Sequence, residues 1–386
     1  MSRWPVIKLG DVLRLDLIKE VIDPSKSYEM LGVLSFGKGL FKRDTIESGN
    51  TSYKYFLCLK AEHVVMSQLF GWEGAIALSK PEFNGCFVSP QFPTFLCDES
   101  QIYRGYLGWV MRQPKFWDDL GSRTKGMGDR RRTLNPEAFF ACQIQLPSLE
   151  EQRAIVTRLD AVADKARQVE AKLDGIEADA ERLLAIRFRE IIECAEWRTM
   201  GEVAPIMKRE VKIVPDTAYT EIGIRSFYKG TFHRRTMPGA EYTWQDLYWV
   251  ERGDLIFSNI MAWEQGIAVA TNRDHHCVAN HRMLTCTVNP EIATAGFLWY
   301  YFTTAEGFSK ISAASPGTPA RNKTLKANVL MSLQVPVPKL AKQQAFDNLQ
   351  TKLAEMKAKH TETRQALKAL LPSMLEQIFS TSSQET

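Results

Sequence analysis

The sequence lacks the features that mark several classes of protein. It contains no run of about 18 or more apolar residues, so no transmembrane helix is predicted. Its first residues include no apolar stretch of the kind found in signal peptides. The seven cysteines are scattered and no Cys-x-x-Cys pair occurs, which argues against a disulfide framework or a zinc site. We therefore expect a protein of the reducing cytoplasm.

Recognisable catalytic motifs are lacking as well. The sequence contains no Gly-x-x-x-x-Gly-Lys-Ser/Thr loop for a nucleoside triphosphate and no Gly-x-Gly-x-x-Gly that follows a strand. It contains no Gly-x-Ser-x-Gly elbow and no Asn-Pro-Pro-aromatic stretch of the kind that amino-methyltransferases use. We expect no catalytic residue and no cofactor site in this chain.

What the sequence does contain is an internal repeat with an offset of 191 residues. About thirty identities fall on this diagonal, against about ten expected by chance. A repeat of this length indicates a duplicated domain rather than a solenoid, so we expect a pseudo-symmetric molecule. The offset carries Gly10 onto Gly201, Pro24 onto Pro215, Ser35-Phe36 onto Ser226-Phe227, Lys38-Gly39 onto Lys229-Gly230, Arg43 onto Arg234, Trp72-Glu73 onto Trp263-Glu264, Cys86 onto Cys277, Arg130 onto Arg321, Thr133-Leu134 onto Thr324-Leu325 and Pro147 onto Pro338.

Each repeat has two parts, a globule and a long helix. The globules contain short β-rich runs punctuated by Gly, Pro and Asn. In each helix, apolar residues alternate at spacings of four and three, which is a heptad seam. The first seam is Ile155, Leu159, Val162, Ala166, Val169, Leu173, Ile176, Ala180 and Leu183. The second seam, from Phe346 to Met374, is weaker because His360 and Thr363 are polar, and Pro372 is expected to kink or end its helix.

These patterns predict an α+β fold with two tandem, pseudo-symmetric, mixed α/β domains separated by two long coiled-coil helices. The predicted divisions are a first globule at 1–146, a spacer helix at 147–194, a second globule at 195–337, a C-terminal helix at 338–380 and a flexible tail at 381–386. A helix with a narrow apolar stripe needs a partner, and the other long helix is available. A parallel pair would place the globules side by side and an antiparallel pair would separate them; two-fold pseudo-symmetry favours the antiparallel pair.

Basic residues cluster at matching positions in both repeats, although the net charge of +4 is modest. Two globules on a stiff spacer suit the reading of two DNA half-sites, since equivalent groove faces recur about every 34 Å. The alternative is that these residues are solvated surface charges. The candidate DNA-contacting residues are Lys38, Lys42, Arg43, Arg123, Lys125, Arg130, Arg131, Arg132, Lys229, Arg234, Arg235, Arg321 and Lys323.

Three other candidate sites are better explained structurally. Trp72 and Trp263 precede β-rich runs, where tryptophan is usually a core anchor. The acids Glu150-Glu151 open a helix and favour its dipole, and the second repeat has Ala341 and Lys342 there instead. The cluster His275, His276 and His281 has no aligned ligand set in the first repeat, so no metal is expected.

Four segments follow one another in a familiar order: Trp72–Leu78, Asn84–Pro90, the basic loop 122–132 with Thr133-Leu134, and the stretch 145–156 that leads into the long helix. In this order and spacing, and in its tandem duplication, nearly the whole chain resembles the specificity subunit of type I restriction–modification systems. The start of the second helix, 338–344, departs from the acidic pattern of the first.

The resemblance implies a non-catalytic subunit in which each recognition domain reads one half of a bipartite DNA sequence. The helices then set the spacing and dock modification subunits, with ATP-dependent restriction subunits as further partners. S-adenosylmethionine, ATP and Mg²⁺ are expected in those partners. Leu184, Phe188 and Ile191, which lie off the main seam, are candidates for docking; alternatively they pack on the chain's own globule. The rival functions are a coiled-coil scaffold with duplicated protein-binding domains and an enzyme with an unrecognised site.

Overall fold

The computed structural model describes residues 4–47, 51–124, 132–242, 246–317 and 323–380. The chain forms two compact units, one of residues 1–172 and 362–386 and the other of residues 173–361. Each unit holds one globule and a stretch of both long helices, α4 (Leu149–Ile192) and α9 (Leu340–Ser380). The predicted α+β fold with tandem globules and two long helices is confirmed. Within the described residues, no helix is both long and apolar enough to cross a lipid bilayer.

In its described residues, the globule of the first unit is built from short strands, three short α-helices and single turns of 3-10 helix. The strands are β1 (Val6–Lys8), β2 (Leu13–Leu15), β3 (Lys19–Val21), β4 (Ser27–Tyr28), β5 (Leu31–Leu34), β6 (Gly39–Lys42), β7 (Ile46–Glu47), β8 (Tyr55–Cys58), β9 (Val64–Met66), β10 (Ile76–Leu78), β11 (Phe87–Val88), β12 (Thr94–Cys97) and β13 (Gln143–Gln145), and the helices are α1 (Arg104–Val110), α2 (Pro114–Ser122) and α3 (Pro136–Phe140). A four-stranded sheet has the order β10-β9-β12-β2 and a three-stranded sheet has the order β11-β8-β3, and the further pairs are β1-β13, β4-β7 and β5-β6.

The globule of the second unit has the same kinds of element in the same order along much of its length. The strands are β14 (Glu196–Thr199), β15 (Ala218–Ile224), β16 (Thr231–Pro238), β17 (Leu247–Val250), β18 (Leu255–Ser258), β19 (Ile267–Val269), β20 (Cys277–Asn280), β21 (Met283–Cys286) and β22 (Gln334–Val337), and the helices are α5 (Met200–Val203), α6 (Ala295–Thr303), α7 (Ala305–Ala313) and α8 (Ala327–Ser332). The two sheets have the orders β16-β15-β20-β17 and β19-β18-β21, and β14 pairs with β22.

The long helices pair antiparallel, as the pseudo-symmetry predicted. In the second unit, the Glu177 carboxylate pairs with His360 at 2.7 Å, and Glu181 pairs with Lys357. Four residues forward on α4 therefore correspond to three residues back on α9. In the first unit, Ile155 and Leu159 of α4 share a core with Leu375 and Phe379 of α9. Pro372 does not end α9, which continues to Ser380 because Leu371 and Leu375 are held in that core.

Each core is completed by a phenylalanine from the far end of a long helix. Phe188 packs on Phe297 at a ring-centroid distance of 5.0 Å and on Phe346 at 5.4 Å. In the first unit Phe379, which the 191-residue offset maps from Phe188, packs on Tyr106 at 5.9 Å. Tyr106 itself maps to Phe297. The duplication therefore extends to the way in which each helix end closes its globule.

The three residues predicted to dock a partner belong instead to this closure. Phe188 and Leu184 are buried in the core of the second unit, and Ile191 packs against that core. The alternative given above, packing on the chain's own globule, therefore holds for all three. The reason is that the helix stripe is shared between pairing with α9 and covering the globule, and large apolar side chains gain more from the enclosed position.

The predicted heptad seam also fails at Ile176 and Leu183, whereas Ala180 between them stays partly buried. Ile176 and Leu183 are 50% and 53% exposed, while the inward positions pass to their neighbours Glu177 and Leu184. A straight α-helix drifts by about 20° per heptad relative to a strict seven-residue repeat. Over the four heptads from Ile155 to Leu183 the inward stripe therefore drifts by about 80°, close to one residue position. Two large apolar side chains of α4 are thereby left facing outward.

A buried glutamine fixes each helix start to its globule. The Gln152 side chain accepts a hydrogen bond from the Tyr103 backbone N–H at 2.6 Å and donates to the Gln101 and Pro147 carbonyls. Gln343 accepts from the Thr294 N–H at 3.0 Å and donates to the carbonyls of Ile292 and Pro338. The two helix starts are thus equivalent in structure, although the adjacent acids of the first are absent from the second.

Replacing Gln152 with methionine is expected to destabilise the first unit by about 2–3 kcal/mol, because one buried and two partly buried backbone groups lose a hydrogen-bond partner. The free energy of unfolding from urea titration measures this loss. Gln168 lies exposed on the same helix, so Gln168→Met serves as the control and should change stability by less than about 0.5 kcal/mol. Equal effects from the two variants would contradict this role for Gln152.

Candidate nucleic-acid interface

A tight hairpin tip in the first globule presents an aromatic side chain. Between β5 and β6, Phe36 and Gly37 adopt positive φ values of 61° and 64°. Positive φ costs a non-glycine residue roughly 1–3 kcal/mol, and the surrounding structure must enforce it. Here the Phe36 and Gly37 N–H groups donate to the carbonyls of Glu73 and Gly74 at 2.8 and 3.0 Å. The Ser35 hydroxyl donates to the Glu73 carboxylate at 3.1 Å, which completes the clamp.

The second globule repeats this tip between β15 and β16. Phe227 and Tyr228 have φ values of 60° and 53°. Their N–H groups donate to the carbonyls of Glu264 and Gln265, both at 3.0 Å. The Ser226 hydroxyl donates to the Glu264 carboxylate at 3.3 Å. The Trp-Glu motif found by the repeat is thus the clamp that holds each tip.

The tryptophans of this motif are not core anchors, contrary to the sequence-based prediction. Both side chains are only half-buried. Each indole N–H donates 2.9 Å back to a carbonyl three residues earlier, Trp72 to Leu69 and Trp263 to Ile260. This short-range bond lays the ring along the surface, where its face is available to a cation.

Each tryptophan face carries one of the predicted cations. The Arg132 guanidinium carbon lies 5.3 Å from the Trp72 ring centroid, and Lys323 Nζ lies 5.2 Å from that of Trp263. Such contacts attract by cation–π interaction, with about 0.5–1 kcal/mol at exposed sites. Hydrogen bonds from Leu134 N–H to the Gln68 carbonyl and from Leu325 N–H to the Asn259 carbonyl fix the segments that carry these cations.

A second cation accompanies each tip phenylalanine. Lys38 Nζ lies 5.7 Å from the Phe36 ring and Lys229 Nζ lies 5.8 Å from the Phe227 ring. We define the aromatic–cation patch of each unit by these four side chains. They are Phe36, Lys38, Trp72 and Arg132 in the first unit and Phe227, Lys229, Trp263 and Lys323 in the second. The patch thus brings together four of the predicted basic residues and four aromatic residues that the sequence did not single out as binding residues.

Other predicted cations are paired with carboxylates of the chain. Arg123 forks onto Asp119 at 3.0–3.1 Å, and this hydrogen bonding raises the pKa of the guanidinium. Arg234 and Arg235 both bond to the buried Glu221, at 3.2 and 3.1 Å. Their charge is therefore partly neutralised within the β15-β16 hairpin. Such pairing makes these three residues weaker candidates for phosphate contact.

Of the remaining predicted cations, the structure describes Lys42 and Arg43. Lys42 pairs loosely with Glu29 at 3.6 Å, and both side chains are mostly solvated, so this pair is worth little. Arg43 is exposed and directly follows the last residue of β6. Lys125, Arg130, Arg131 and Arg321 lie outside the described residues.

A cysteine–histidine–aspartate cluster in the second unit is not arranged for nucleophilic chemistry. His233 Nε2 lies 3.6 Å from Cys277 Sγ and 3.3 Å from the Asp274 carboxylate, so one nitrogen faces both groups and no relay runs through the ring. Burial raises the pKa of the Cys277 thiol, whereas a nucleophile requires a lowered pKa. In the described ranges, no group of three or more His, Cys, Asp or Glu side chains is placed to hold a metal ion.

Solved structures share this fold across nearly the whole chain. The crystal structure of the HsdS subunit from Thermoanaerobacter tengcongensis matches with a TM-score of 0.62 and 19% identity, covering 97% of this chain and 96% of that one. A chain from a study of complex assembly and conformational transition in the type I R-M system matches with a TM-score of 0.66 and 19% identity, covering 97% of both. No protein-family profile matches the sequence, and a search of curated proteins finds no match. At this identity the likeness is one of fold.

Proposed function

We propose that this chain is the DNA sequence-recognition subunit of a type I restriction–modification complex, with each unit reading one half of a bipartite site. The observation that carries the proposal is the aromatic–cation patch, built twice from residues related by one offset. A protein that reads two half-sites needs two equivalent surfaces of this kind. The fold shared with a chain described as an HsdS subunit supports it, as do the segments that resemble that family.

The patch supplies the contacts that DNA binding requires. Its lysine and arginine groups neutralise phosphates, which positions the protein on the duplex and makes affinity depend on salt. Cation–π contact holds each charge in one place, so less side-chain entropy is lost on binding than for a free lysine. Sequence reading is then left to other loop residues, among which we include Arg130 and Arg131.

In this proposal, the catalytic steps take place in partner subunits. The chain acts without a catalytic group of its own, and methyl transfer to adenine and ATP-driven restriction take place in modification and restriction subunits. S-adenosylmethionine, ATP and Mg²⁺ bind in those subunits, and the complex works in the cytoplasm. We assign docking of the modification subunit to the outward stripe of α4 formed by Ile176, Leu183 and Ile186, which replaces the buried residues predicted from the sequence.

Arg132→Gln and Lys323→Gln are each expected to weaken duplex binding by the assembled complex and to lower the salt dependence of log K by about 1. Fluorescence anisotropy across a salt series measures both quantities. Lys165 lies exposed on α4, and Lys165→Gln should leave both unchanged. The same measurement on Arg130→Ala and Arg321→Ala tests the loop residues. Unchanged affinity and salt slope in the patch variants would remove the patch from the DNA interface.

The same preparation distinguishes DNA recognition from the rival scaffold function. A coiled-coil scaffold would capture partner proteins and show no affinity for duplex DNA at any salt concentration, with or without a co-purified methyltransferase. Sequencing of the methylated bases in a host that carries the operon gives an independent readout. The recognition function predicts a split motif with methyl-adenine in each half.

A further inference from the structure

The two hairpin tips carry phenylalanine where a turn of this shape favours glycine or asparagine. Successive residues with positive φ are typical of tight hairpin turns, and Gly, Asn or Asp ordinarily occupy them because a larger side chain is strained there. Phe36 and Phe227 occupy the first of these positions in the two units, with φ values of 61° and 60°. Glycine would relieve the strain at both. The retained side chain therefore points to a use for the ring itself.

Neither ring is used to fill a core. Phe36 is 55% exposed and Phe227 is 63% exposed. The ring of Phe36 touches Trp117 by an edge, with centroids 5.7 Å apart. In the second unit the neighbouring Tyr228 takes the inward role, since its hydroxyl donates to the Phe302 carbonyl at 2.7 Å and its ring packs on Trp299. Phe227 is thereby left as the outward ring of the tip.

The tips are rigid mounts. Two backbone hydrogen bonds and one serine–glutamate bond hold each tip to the Trp-Glu segment at 2.8–3.3 Å. An aromatic ring on such a mount loses little conformational entropy when it inserts into a partner. The lysine two residues further on, Lys38 or Lys229, stands within 6 Å of the ring centroid. A flat apolar ring beside a cation fits a base step beside a phosphate.

We propose that Phe36 and Phe227 act as wedges that insert between neighbouring base pairs and unstack one step in each DNA half-site. This inference rests on the proposed function. Apolar side chains that enter base steps kink the duplex, and the unstacking cost makes deformable steps favoured, so each wedge would select sequence without hydrogen bonding to a base. Lys38 and Lys229 would contact the phosphate beside the opened step.

DNA is favoured over a protein partner as the occupant of the tips. Each tip offers one outward ring, which is too small for the central hot spot of a stable protein interface. Each ring also has a lysine over it, and lysine is depleted from the cores of protein interfaces. The tip also lies next to the tryptophan whose ring contacts Arg132 or Lys323. The two cations and the exposed phenylalanine ring of each patch are thus all suited to binding nucleic acid.

The test uses the assembled complex and a duplex selected from a random-sequence pool. 2-Aminopurine replaces bases one at a time, at positions other than the methylated adenine, and its fluorescence reports unstacking. We expect one enhanced step in each half-site. Phe36→Gly should abolish the enhancement in one half only and Phe227→Gly in the other, each with an affinity loss of about 5- to 100-fold, the range for loss of one stacked ring.

Glycine is chosen because it relieves the positive φ, so the variants should keep the thermal stability of the parent and a lost signal cannot be attributed to unfolding. Phe41→Ala is the matched control, since Phe41 is a half-exposed phenylalanine on the strand of the same hairpin.

Full fluorescence enhancement and parental affinity in both glycine variants would overturn the wedge and leave DNA recognition standing. Loss of co-purified modification subunit with DNA unstacking intact would overturn it in favour of a protein contact. A parent complex that binds no duplex would refute the recognition function and the wedge together.

Discussion

A chain that ends at Thr361 is expected to lose the folded structure of its first unit while the second unit stays folded. The first unit includes residues 362–386 although its globule lies at the opposite end of the sequence. The last turns of α9 supply five apolar side chains to its core, namely Leu371, Met374, Leu375, Ile378 and Phe379. Phe379 also packs edge-on against Trp4, close to the start of the chain.

The expected loss is large compared with the stability of a domain. Leu375 is buried, which contributes about 1.5–3 kcal/mol, and each of the four partly buried side chains contributes about half as much. Together they give about 5–9 kcal/mol, which lies within the 5–15 kcal/mol that stabilises a typical domain. The second unit keeps Phe346 and the part of α9 up to Thr361, so its own core is unchanged. Truncation should therefore remove one of two unfolding transitions rather than shift both.

Differential scanning calorimetry with limited proteolysis measures this outcome. The control is a chain that ends at Ser380, which retains all five core residues and should unfold like the parent. Phe379→Asp in the full chain provides a milder version, with an expected loss of about 3–5 kcal/mol in the first transition alone. Two intact transitions in the chain that ends at Thr361 would show that the first globule is stable without the end of α9.

The sequence predicted the architecture because duplication and helix periodicity are long-range patterns. An offset of 191 residues and a heptad stripe persist through local variation, and they predict two globules, two long helices and their antiparallel pairing. Which side chains are buried depends on shifts of a single residue position. A stripe that drifts by one position exposes Leu183 and buries Leu184, and a seven-residue repeat does not reveal where that drift becomes decisive.

The aromatic–cation patches depend on local backbone geometry, which the sequence pattern does not reveal. An aromatic residue beside a β-rich run is most often buried, which predicts a core position for Trp72, and the sequence pattern gives no reason to expect an exposed ring at Phe36. Their exposure follows from positive φ at the tip and from the indole bond to Leu69, neither of which has a sequence signature beyond the repeat itself. Arg234 and Arg235 face Glu221 through a register irregularity between β15 and β16, which no periodicity predicts.

The outward stripe of α4 leads to the second large effect, the loss of the modification subunit from the complex. Ile176 and Leu183 lie seven residues apart and Ile186 three further on, so the three side chains share one face of the helix. All three are exposed on a helix whose other face is already used by α9 and the globule. Exposed apolar stripes of this kind fit an amphipathic helix of a partner.

Ile176→Asp combined with Leu183→Asp is expected to abolish co-purification of the modification subunit. Each change removes about 1.5–3 kcal/mol of apolar burial at the interface and places an unpaired carboxylate there, which costs several kcal/mol more. Affinity should fall by at least about a thousandfold on that arithmetic. The isolated chain should keep its melting temperature, because both positions face solvent in the free molecule.

Ala178→Asp is the matched control, because Ala178 is exposed and lies about 200° around the helix from Ile176. That variant should assemble like the parent. Assembly of the Ile176→Asp, Leu183→Asp chain at parental yield would place the docking surface elsewhere, and the exposed apolar stripe would then need another partner. Loss of assembly together with a lowered melting temperature would instead assign these residues to the chain's own stability. Only loss of assembly at unchanged stability supports a docking face, because only then does the apolar area of α4 stabilise the complex and not the free chain.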